Sequence, residues 1–375
     1  MKNIKRACAA LLAAMLLSSM AYAAEPAVTF DFEKDDAGFT PVFADYPAED
    51  GVDDFYELRH GWAELPMGGG KGLFLSGNNH SDDLFMGYYK ELPGLKPGRL
   101  YEFHVTFRLA TNVDGGMIGV GGSPGASVFV KGGVTTVRPR RTVDELGQYR
   151  LNIHKGNQAV GGCDLLVLGN SEKEETVRPG EYEWKAFSFT MLAKADAEGR
   201  VYLLLGTDSG FEATSSYYLD GITLAWEEQA ERPITRAAAI QRMYDDARPA
   251  ARQAPSFADV GGDHPCRDAI GWAEGAGLAA GYGSGRFGPE DSLTVEQAMV
   301  ILHRYAGSPG ADNGDADLSH VSPWARDSAA WGLQKGLIGE DDLAGSEPIS
   351  EYAFVRAWRE VQGEACVLFG PSPHR

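Results

Sequence analysis

Hydrophobic and polar side chains alternate along much of the chain up to residue 229. Every second residue in 101–109 is apolar, and the same period of two recurs at 28–32 and 222–226. This period is typical of β-strands that bury one face. Turn signals rich in proline and glycine separate the runs, and no long stretch has helical periodicity. The pattern predicts an antiparallel β-sandwich over residues 24–229.

The pattern changes beyond a polar connector that starts at residue 227. Apolar side chains then recur at i, i+3 and i+7 in two segments, which predicts amphipathic helices. These side chains are Ile240, Met243 and Ala247, and then Ala298, Ile301 and Tyr305. Thr235, Thr294 and Ser350 stand where N-cap hydroxyls would satisfy free backbone N–H groups, and Gln297 would complete a capping box with Thr294. A domain boundary is therefore expected near residue 230.

The C-terminal segment repeats itself at offsets of 59 and 56 residues, which align Thr235 with Thr294 and Ser350. The shift of 59 also aligns Trp272 with Trp331. The motifs Phe-Ala-Asp-Val at 257–260, Ala-Ile-Gly-Trp-Ala at 269–273 and the glycine-rich run at 281–289 lie between these anchors. Their order resembles an S-layer homology repeat. The resemblance implies an all-α domain over 233–362, with a partial copy at 233–249, a second at 256–307 and a degenerate third at 318–362, followed by a tail at 363–375.

This resemblance also implies a ligand. Proteins with such repeats pack three of them about a pseudo-threefold axis and hold cell-wall polysaccharide, often one that bears a pyruvyl ketal. Arg236 is the main candidate, because an arginine fork in the first turn of a helix can bind a carboxylate where the dipole also favours an anion. The alternative is that Arg236 decorates a solvated helix face. The aligned residues are Val295 and Glu351, so binding is expected to be weak or confined to one site.

Four further residues are candidates for the same glycan-binding groove. Trp272 could offer a sugar-stacking face, and Gly281 and Gly283 could let the backbone approach the ligand. Each also has a structural explanation, since tryptophans at helical spacing are more often core and glycines before a helix are more often turn formers. Asp259 is better explained as a cap or turn acceptor than as a sugar ligand.

The sandwich has a looser resemblance of its own. Residues 95–101 lead into a strand and residues 217–224 close the domain, as in the galactose-binding-like jelly rolls of carbohydrate-binding modules. The resemblance implies glycan binding and, through acidic residues on the first and last strands, a structural calcium ion at Glu33 and Asp220. Solvated surface carboxylates are the alternative explanation for both residues. No other cofactor is indicated.

The N-terminus predicts export. Residues 1–23 contain Lys2, Lys5 and Arg6, an apolar run and then a small-x-small ending, which is the order of a signal peptide. The apolar run is shorter than the roughly 20 residues that cross a bilayer, so no membrane insertion is expected. The protein is therefore predicted to be secreted and to reside at the wall or surface of a bacterial cell.

Charge and cysteine content restrict the partners. The formal charge of −19 becomes −22 when the three cations of the signal peptide are removed, so nucleic acid and anionic lipid are poor partners and only individual arginines could bind an anion. Cys163, Cys266 and Cys366 are an odd number at wide spacing, which indicates neither a disulfide framework nor a zinc site.

No catalytic site is indicated. The cluster His80-Ser81-Asp82-Asp83 cannot form a triad by itself, and a second carboxylate for glycoside hydrolysis, from residues 208–212, has an unknown separation from it. The chain is expected to be multidomain, an all-β jelly-roll-like sandwich followed by an all-α domain of S-layer homology repeats that attach it non-covalently to wall polysaccharide. The sandwich would bind glycan or another surface ligand. The alternatives are an extracellular glycan-active hydrolase and a purely structural envelope protein.

Overall fold

The computed structural model describes residues 28–174, 178–249, 253–311, 316–343 and 347–362. The predicted signal peptide at 1–23 and the tail at 363–375 lie outside these residues. No helix in the described ranges is long and apolar enough to cross a membrane. The chain is β-rich up to residue 229 and helical from residue 236, and these parts are called the sandwich and the helical part.

The described residues of the sandwich form fourteen strands and one short helix. In chain order they are β1 (Val28–Phe30), β2 (Thr40–Ala44), β3 (Tyr46–Pro47), α1 (Val52–Phe55), β4 (Arg59–Glu64), β5 (Lys71–Asn78), β6 (Leu84–Leu92), β7 (Leu100–Thr111), β8 (Val128–Thr135), β9 (Arg141–Val143), β10 (Gln148–Leu151), β11 (Leu166–Asn170), β12 (Glu183–Lys194), β13 (Val201–Ser209) and β14 (Thr214–Gln229).

Two antiparallel sheets form the sandwich. Sheet 1 has the order β12-β7-β14-β5-β4, with β1 also paired to β14, and sheet 2 has the order β11-β8-β13-β6-β2. A third, small sheet has the order β3-β10-β9. The predicted antiparallel sandwich is therefore confirmed.

The core between the sheets follows from the period of two in the sequence. On β7, Phe103, Val105 and Phe107 point inward and are at most 1% exposed, whereas the residues between them are not buried. Leu203 and Leu205 of β13 face them from sheet 2 and are fully buried. The alternation predicted this face because successive side chains of a strand point to opposite sides.

The other face of sheet 2 is covered as well. Tyr89, Tyr202 and Leu204 point away from the main core and pack against Leu151, Ile153 and Leu165 in a separate buried cluster. The covering segment is 137–165, which includes β9 and β10. Consequently every residue of β13 is buried, and this face of the sandwich is not available to a ligand.

Within the described ranges, the helical part contains five α-helices and one 3₁₀-helix. They are α2 (Arg236–Ala247), α3 (Arg267–Gly275), α4 (Val295–Tyr305), α5 (Arg326–Gln334), the 3₁₀-helix (Glu340–Leu343) and α6 (Glu351–Gln362). Thr235 and Thr294 cap α2 and α4 as predicted, and Thr294 forms the predicted capping box with Gln297. The Ser350 hydroxyl accepts the Ala353 N–H at the start of α6, so this cap is confirmed too.

A closed ring of backbone hydrogen bonds relates the three capped helices. The N–H of Ile234 donates to Ile349 O at 3.1 Å, Ile349 donates to Leu293 O at 2.9 Å, and Leu293 donates to Ile234 O at 2.9 Å. Each residue stands just before the cap of α2, α6 or α4. The described part of the helical region is therefore arranged with pseudo-threefold symmetry, and the ring brings the start of each helix close to the next.

Candidate functional site

A groove lies beside the start of α2. Its cavity has a volume of about 190 Å³ and is bounded by the first residue of α2, the loop before residue 283, one face of α4 and one residue ahead of α5. We call this cavity the first groove. Its lining residues are Arg236, Leu278, Ala279, Ala280, Gly281, Tyr282, Gln297, Val300, Ile301, Arg304 and Trp324.

Arg236 lies at the inner wall of the first groove and is only 5% exposed, so the alternative of a solvated helix face is wrong. Its Nε donates to Phe287 O at 2.9 Å, Nη1 to Gln297 Oε1 at 3.0 Å and Nη2 to Ala280 O at 2.9 Å. A guanidinium carries five N–H donors, so two remain without a partner among the described residues. Burial lowers the pKa of Arg236 from its usual value, but a guanidinium stays charged at neutral pH.

The packing around Arg236 fixes the guanidinium plane. Its Cζ lies 5.0 Å from the ring centroid of Tyr282 and 4.7 Å from that of Phe287, so the cation is held against two aromatic rings. This arrangement arises because the loop that follows α3 folds back over the first turn of α2. A local motif in the sequence predicts the arginine but not the loop that covers it.

Three further lining residues were not among the sequence candidates. Arg304 in the last turn of α4 is exposed and donates to Leu278 O at 3.3 Å, so a second cation borders the cavity. Trp324 is 59% exposed and Tyr282 is 42% exposed, which is high for large aromatic side chains. The described lining residues include no carboxylate. The first groove thus combines two guanidinium groups with two accessible aromatic faces.

The other sequence candidates have different positions. Gly281 lines the first groove, and a Cβ there would lie 2.5 Å from Arg286 O, so the close approach requires glycine. The carboxylate of Asp259 accepts the backbone N–H groups of Phe287 and Gly288, both at 2.8 Å, and so fixes the loop behind the groove.

Two candidates do not line the first groove. Trp272 is half-buried and packs edge-on against Tyr244, with ring centroids 5.9 Å apart, within the core of the helical part. Gly283 has open space around its Cβ position and is not among the lining residues. Neither position supports the stacking face or backbone approach expected from the sequence.

The pseudo-threefold symmetry generates a second groove of about 330 Å³. Val295 lines it at the position that Arg236 has in the first groove, and Ala353 replaces Gln297. Three carboxylates, those of Glu231, Asp342 and Glu347, also line the second groove, and Glu231 is paired at 2.9 Å with Lys194, the one cation among its described lining residues. Glu360 stands at the sequence position equivalent to Arg304, at the offset of 56 residues. The described lining residues of the second groove therefore include no arginine, and three carboxylates there face a single lysine.

A buried charge cluster lies on the covered face of sheet 2. Lys131 and Asp208 have side chains that are 0% exposed and are 2.8 Å apart, and Lys155 contacts Asp208 at 2.7 Å and Asp45 at 2.8 Å. Asp83 belongs to the same group, with carboxylate oxygens of Asp45, Asp83 and Asp208 within 4.8 Å of one another.

The position of this cluster tests the alternative that the protein is a glycan-active hydrolase. The structure brings Asp83 and Asp208 together, as the sequence could not show. However, Asp208 is fully buried and bonded to two lysines, so no substrate can reach it. The two carboxylates are close together, as in a glycosidase, but a substrate cannot reach both of them.

Asp83 gives the cluster a pH dependence. Burial, and then the negative charges of Asp208 and Asp45, raise the pKa of Asp83 to about 8. A carboxyl whose pKa is higher in the folded than in the unfolded state stabilises the fold at low pH, and this contribution is lost as pH rises through the folded pKa. The stabilisation from Asp83 should therefore be complete below about pH 4, near the usual carboxyl pKa, and lost by about pH 8–9.

Asp83→Asn should abolish the loss of stability with rising pH, because an amide cannot ionise. We expect the variant to gain stability relative to the native protein as pH rises from 4 to 9, measured by urea unfolding at each pH. Asp82→Asn, which changes the exposed neighbouring carboxyl, is the matched control. A stability difference for Asp83→Asn that is constant across this range would contradict the assignment.

The residues of the expected calcium site are placed apart from the metal-ligand clusters. Glu33 is exposed beyond the end of β1, and Asp220 on β14 is 5% exposed and bonded to Arg108 at 2.5 Å. Asp220 Oδ1 is buried without a hydrogen-bond partner, so a ligand position remains there. Neither residue belongs to any of the three groups of potential metal ligands found within the described ranges. Calcium binding at Glu33 and Asp220 stays a prediction.

Comparison with known families identifies one segment of the chain. The model of the S-layer homology domain matches residues 256–299, which span α3, the loop of the first groove and the start of α4. No curated protein sequence matches the chain. The chain thus carries an S-layer homology repeat, as the motifs indicated, and this repeat associates it with the bacterial cell surface.

Among the solved structures similar to this chain are carbohydrate-binding modules. One, from a study of promiscuous specificity in β-sandwich modules, is 12% identical, with 53% of this chain and 61% of that chain covered and a TM-score of 0.25. The family 11 module of Clostridium thermocellum, bound to a mixed-linked tetrasaccharide, is 9% identical over 53% of this chain and 94% of its own, with a TM-score of 0.27. The xylan-binding module of Paenibacillus barcinonensis Xyn10C is 15% identical over 56% and 100%, with a TM-score of 0.26. This chain spans less than two thirds of the first of these structures.

Proposed function

We propose that the protein is a secreted surface protein that attaches non-covalently to bacterial cell-wall polysaccharide through the first groove. The observation that carries this proposal is the composition of the groove. Arg236 and Arg304 border a cavity whose described lining residues include no carboxylate, in a chain with a formal charge of −19. Such a local concentration of cations attracts an anionic group despite the net charge of the protein.

The ligand that fits this chemistry is a sugar with a carboxylate substituent, such as a pyruvyl ketal. The two N–H groups of Arg236 that have no partner among the described residues can donate to the carboxylate, and the exposed guanidinium of Arg304 adds a second positive charge. Trp324 and Tyr282 offer apolar ring faces against which a sugar ring can stack. The described lining residues of the second groove include no arginine and three carboxylates, so we propose that wall binding is confined to the first groove.

The experiment that tests this proposal is sedimentation of the protein with purified cell walls. Soluble wall polysaccharide in excess should release the protein, and Trp324→Ala should weaken binding by about twofold to tenfold, since a stacking contact contributes ~0.5–1.5 kcal/mol beyond area burial. Trp324 is exposed, so its replacement should leave the unfolding temperature unchanged.

Phe55→Ala is the matched control, because Phe55 is an aromatic residue of the sandwich that is 62% exposed. It should sediment like the native protein. Equal sedimentation of the Trp324 and Phe55 variants, or failure of the polysaccharide to release the protein, would contradict binding in the first groove.

A second candidate function concerns the sandwich, for which one observation favours glycan binding. Phe74, Tyr218, Tyr182 and Trp184 form a half-buried aromatic row on the outer face of sheet 1, with the rings of Phe74 and Tyr218 5.0 Å apart and those of Tyr182 and Tyr218 5.8 Å apart. Arg108 lies over the Trp184 ring at 4.5 Å. Because segment 137–165 covers sheet 2, we propose that the sandwich binds its glycan or surface ligand on sheet 1. A glycan array probed with the native protein and with Tyr218→Ala tests this, and an array without any bound glycan would favour the structural role.

A further inference from the structure

Three metal-ligating side chains converge where the sandwich meets the helical part. His154 and Cys163 belong to the segment that covers sheet 2, and Glu360 lies in the last turns of α6. His154 Nδ1, Cys163 Sγ and a carboxylate oxygen of Glu360 all lie within 4.8 Å of one another. They come from two parts of the chain separated by about two hundred residues, so no short motif announces them.

Two hydrogen bonds and close packing hold the loop that contains His154 and Cys163. The backbone of Asp164 donates to His154 O and its carboxylate accepts the His154 N–H, both at 2.9 Å. Gly162 packs so closely against this loop that a Cβ there would lie 2.0 Å from His154 O. These contacts fix the two ligand residues beside each other without any contribution from the helical part.

Arg356 fixes the helix to the same loop. Its Nη2 donates to Asp164 Oδ1 at 3.1 Å and its Nη1 to Cys163 O at 3.4 Å. Arg356 stands four residues before Glu360, one turn earlier on α6, so this ion pair holds the Glu360 carboxylate next to His154. It also balances the charge of Arg356, which would otherwise repel a cation.

His154 Nδ1 faces the Glu360 carboxylate, with Oε2 at 2.9 Å, and the Cys163 backbone N–H lies farther away, at 3.4 Å. In the absence of a metal, an N–H on Nδ1 donates to this carboxylate. A cation bound at Nδ1 would take the place of that proton, so a positive charge would still face Glu360.

We propose that His154, Cys163 and Glu360 bind one zinc ion that links the sandwich to α6. Imidazole nitrogen, thiolate sulfur and carboxylate oxygen are the zinc ligands of proteins, whereas calcium and magnesium prefer oxygen alone. The thiol of Cys163 releases its proton on binding, so the thiolate and the Glu360 carboxylate neutralise the two charges of the ion. A water molecule completes the fourth position from the adjacent cavity of about 190 Å³.

The test uses the full chain, stripped with chelator and titrated with Zn²⁺ in a calorimeter. One ion should bind per chain, and Cys163→Ser should lower the affinity by at least about tenfold, since even outer partners of metal ligands change affinity by 10–100-fold. Cys266→Ser is the matched control, because Cys266 lies in the helical part outside the three ligand groups. Co²⁺ in place of Zn²⁺ should give a thiolate-to-metal absorption that only the Cys163 variant loses.

Because Cys163 is buried, its variant could fail to fold, and Glu360→Gln keeps the test decisive. The Glu360 side chain is 47% exposed, so this change should leave the apo fold intact while lowering Zn²⁺ affinity at least about tenfold. Zn²⁺ should also raise the unfolding temperature of the native chain more than that of Glu360→Gln. Stoichiometric binding with equal affinity in the native, Cys163→Ser and Glu360→Gln chains, or no binding at all, would overturn the proposal.

Discussion

Lys131→Met is expected to destabilise the sandwich by about 3–5 kcal/mol, the cost of breaking a buried ion pair by removing one partner. The Lys131 ammonium donates to Asp208 Oδ2 at 2.8 Å, to Lys155 O at 2.9 Å and to Val160 O at 3.0 Å. Methionine fills a similar volume but satisfies none of these acceptors. Asp208 would keep only one of its two lysines, and two carbonyl groups of the covering segment would lose a donor.

The direction of the pKa shifts agrees with this expectation. Burial lowers the pKa of Lys131, while the attraction of Asp208 opposes that shift. The pKa of Asp208 is lowered although burial alone would raise it, because Lys155 and Lys131 stabilise the carboxylate. Each ion is therefore tolerated in the interior only because its partners are present.

Urea unfolding followed by tryptophan fluorescence measures the effect. Lys96→Met is the matched control, because the Lys96 side chain is 72% exposed and its ion pair with Glu228 lies at the surface. We expect that variant to change stability by no more than about 0.5 kcal/mol. Equal midpoints for the two variants would show that the buried cluster contributes no more than a surface pair.

The sequence predicted those features of the fold that depend on local patterns. The alternation in 101–109 located β7 and its buried face, and three hydroxyl residues located the starts of α2, α4 and α6. Both signals depend on neighbours a few residues away, within one strand or one helical turn. The S-layer homology motifs were recognisable for the same reason, since the family model matches a single segment at 256–299.

The buried charge cluster could not be predicted because its members are distant in the sequence. Lys131 stands in an otherwise apolar strand, where a lone lysine suggests an exposed or edge position. It is buried because Asp208 comes from the neighbouring strand β13 and the carbonyls come from the covering segment. The metal ligands His154, Cys163 and Glu360 escaped notice for the same reason, and the sequence indicated no zinc site.

The grooves combine residues that local sequence patterns predict with residues that only contacts between distant segments bring together. The repeat identified Arg236 and predicted that Val295 breaks the pattern, and the second groove does have Val295 where the first has Arg236. It missed Arg304 and Trp324 because they reach the groove only through helix packing. The alternative of a solvated helix face was wrong for Arg236 because the loop that follows α3 covers it.

The burial of Arg236 changes what its replacement should do. Arg236→Ala would remove the guanidinium hydrogen bonds to Phe287 O, Gln297 Oε1 and Ala280 O. The two loop carbonyls, Phe287 O and Ala280 O, would then lose this donor. A buried acceptor that loses its partner costs about 1–3 kcal/mol. We therefore expect Arg236→Ala to destabilise the helical part as well as to reduce wall binding, whereas an exposed first-turn arginine would affect binding alone.

Arg236→Ala should lower sedimentation with purified walls by at least tenfold, since a charge-assisted hydrogen bond contributes about 1.5–3 kcal/mol. Arg236→Lys should recover only part of this loss, because an ammonium keeps the charge but cannot reach three acceptors in one plane. Arg304→Ala separates binding from folding, because Arg304 is exposed and its removal should reduce sedimentation with little change in unfolding temperature. Full wall binding by both Ala variants, with circular dichroism showing a folded helical part, would mean that the first groove is not the wall-binding site.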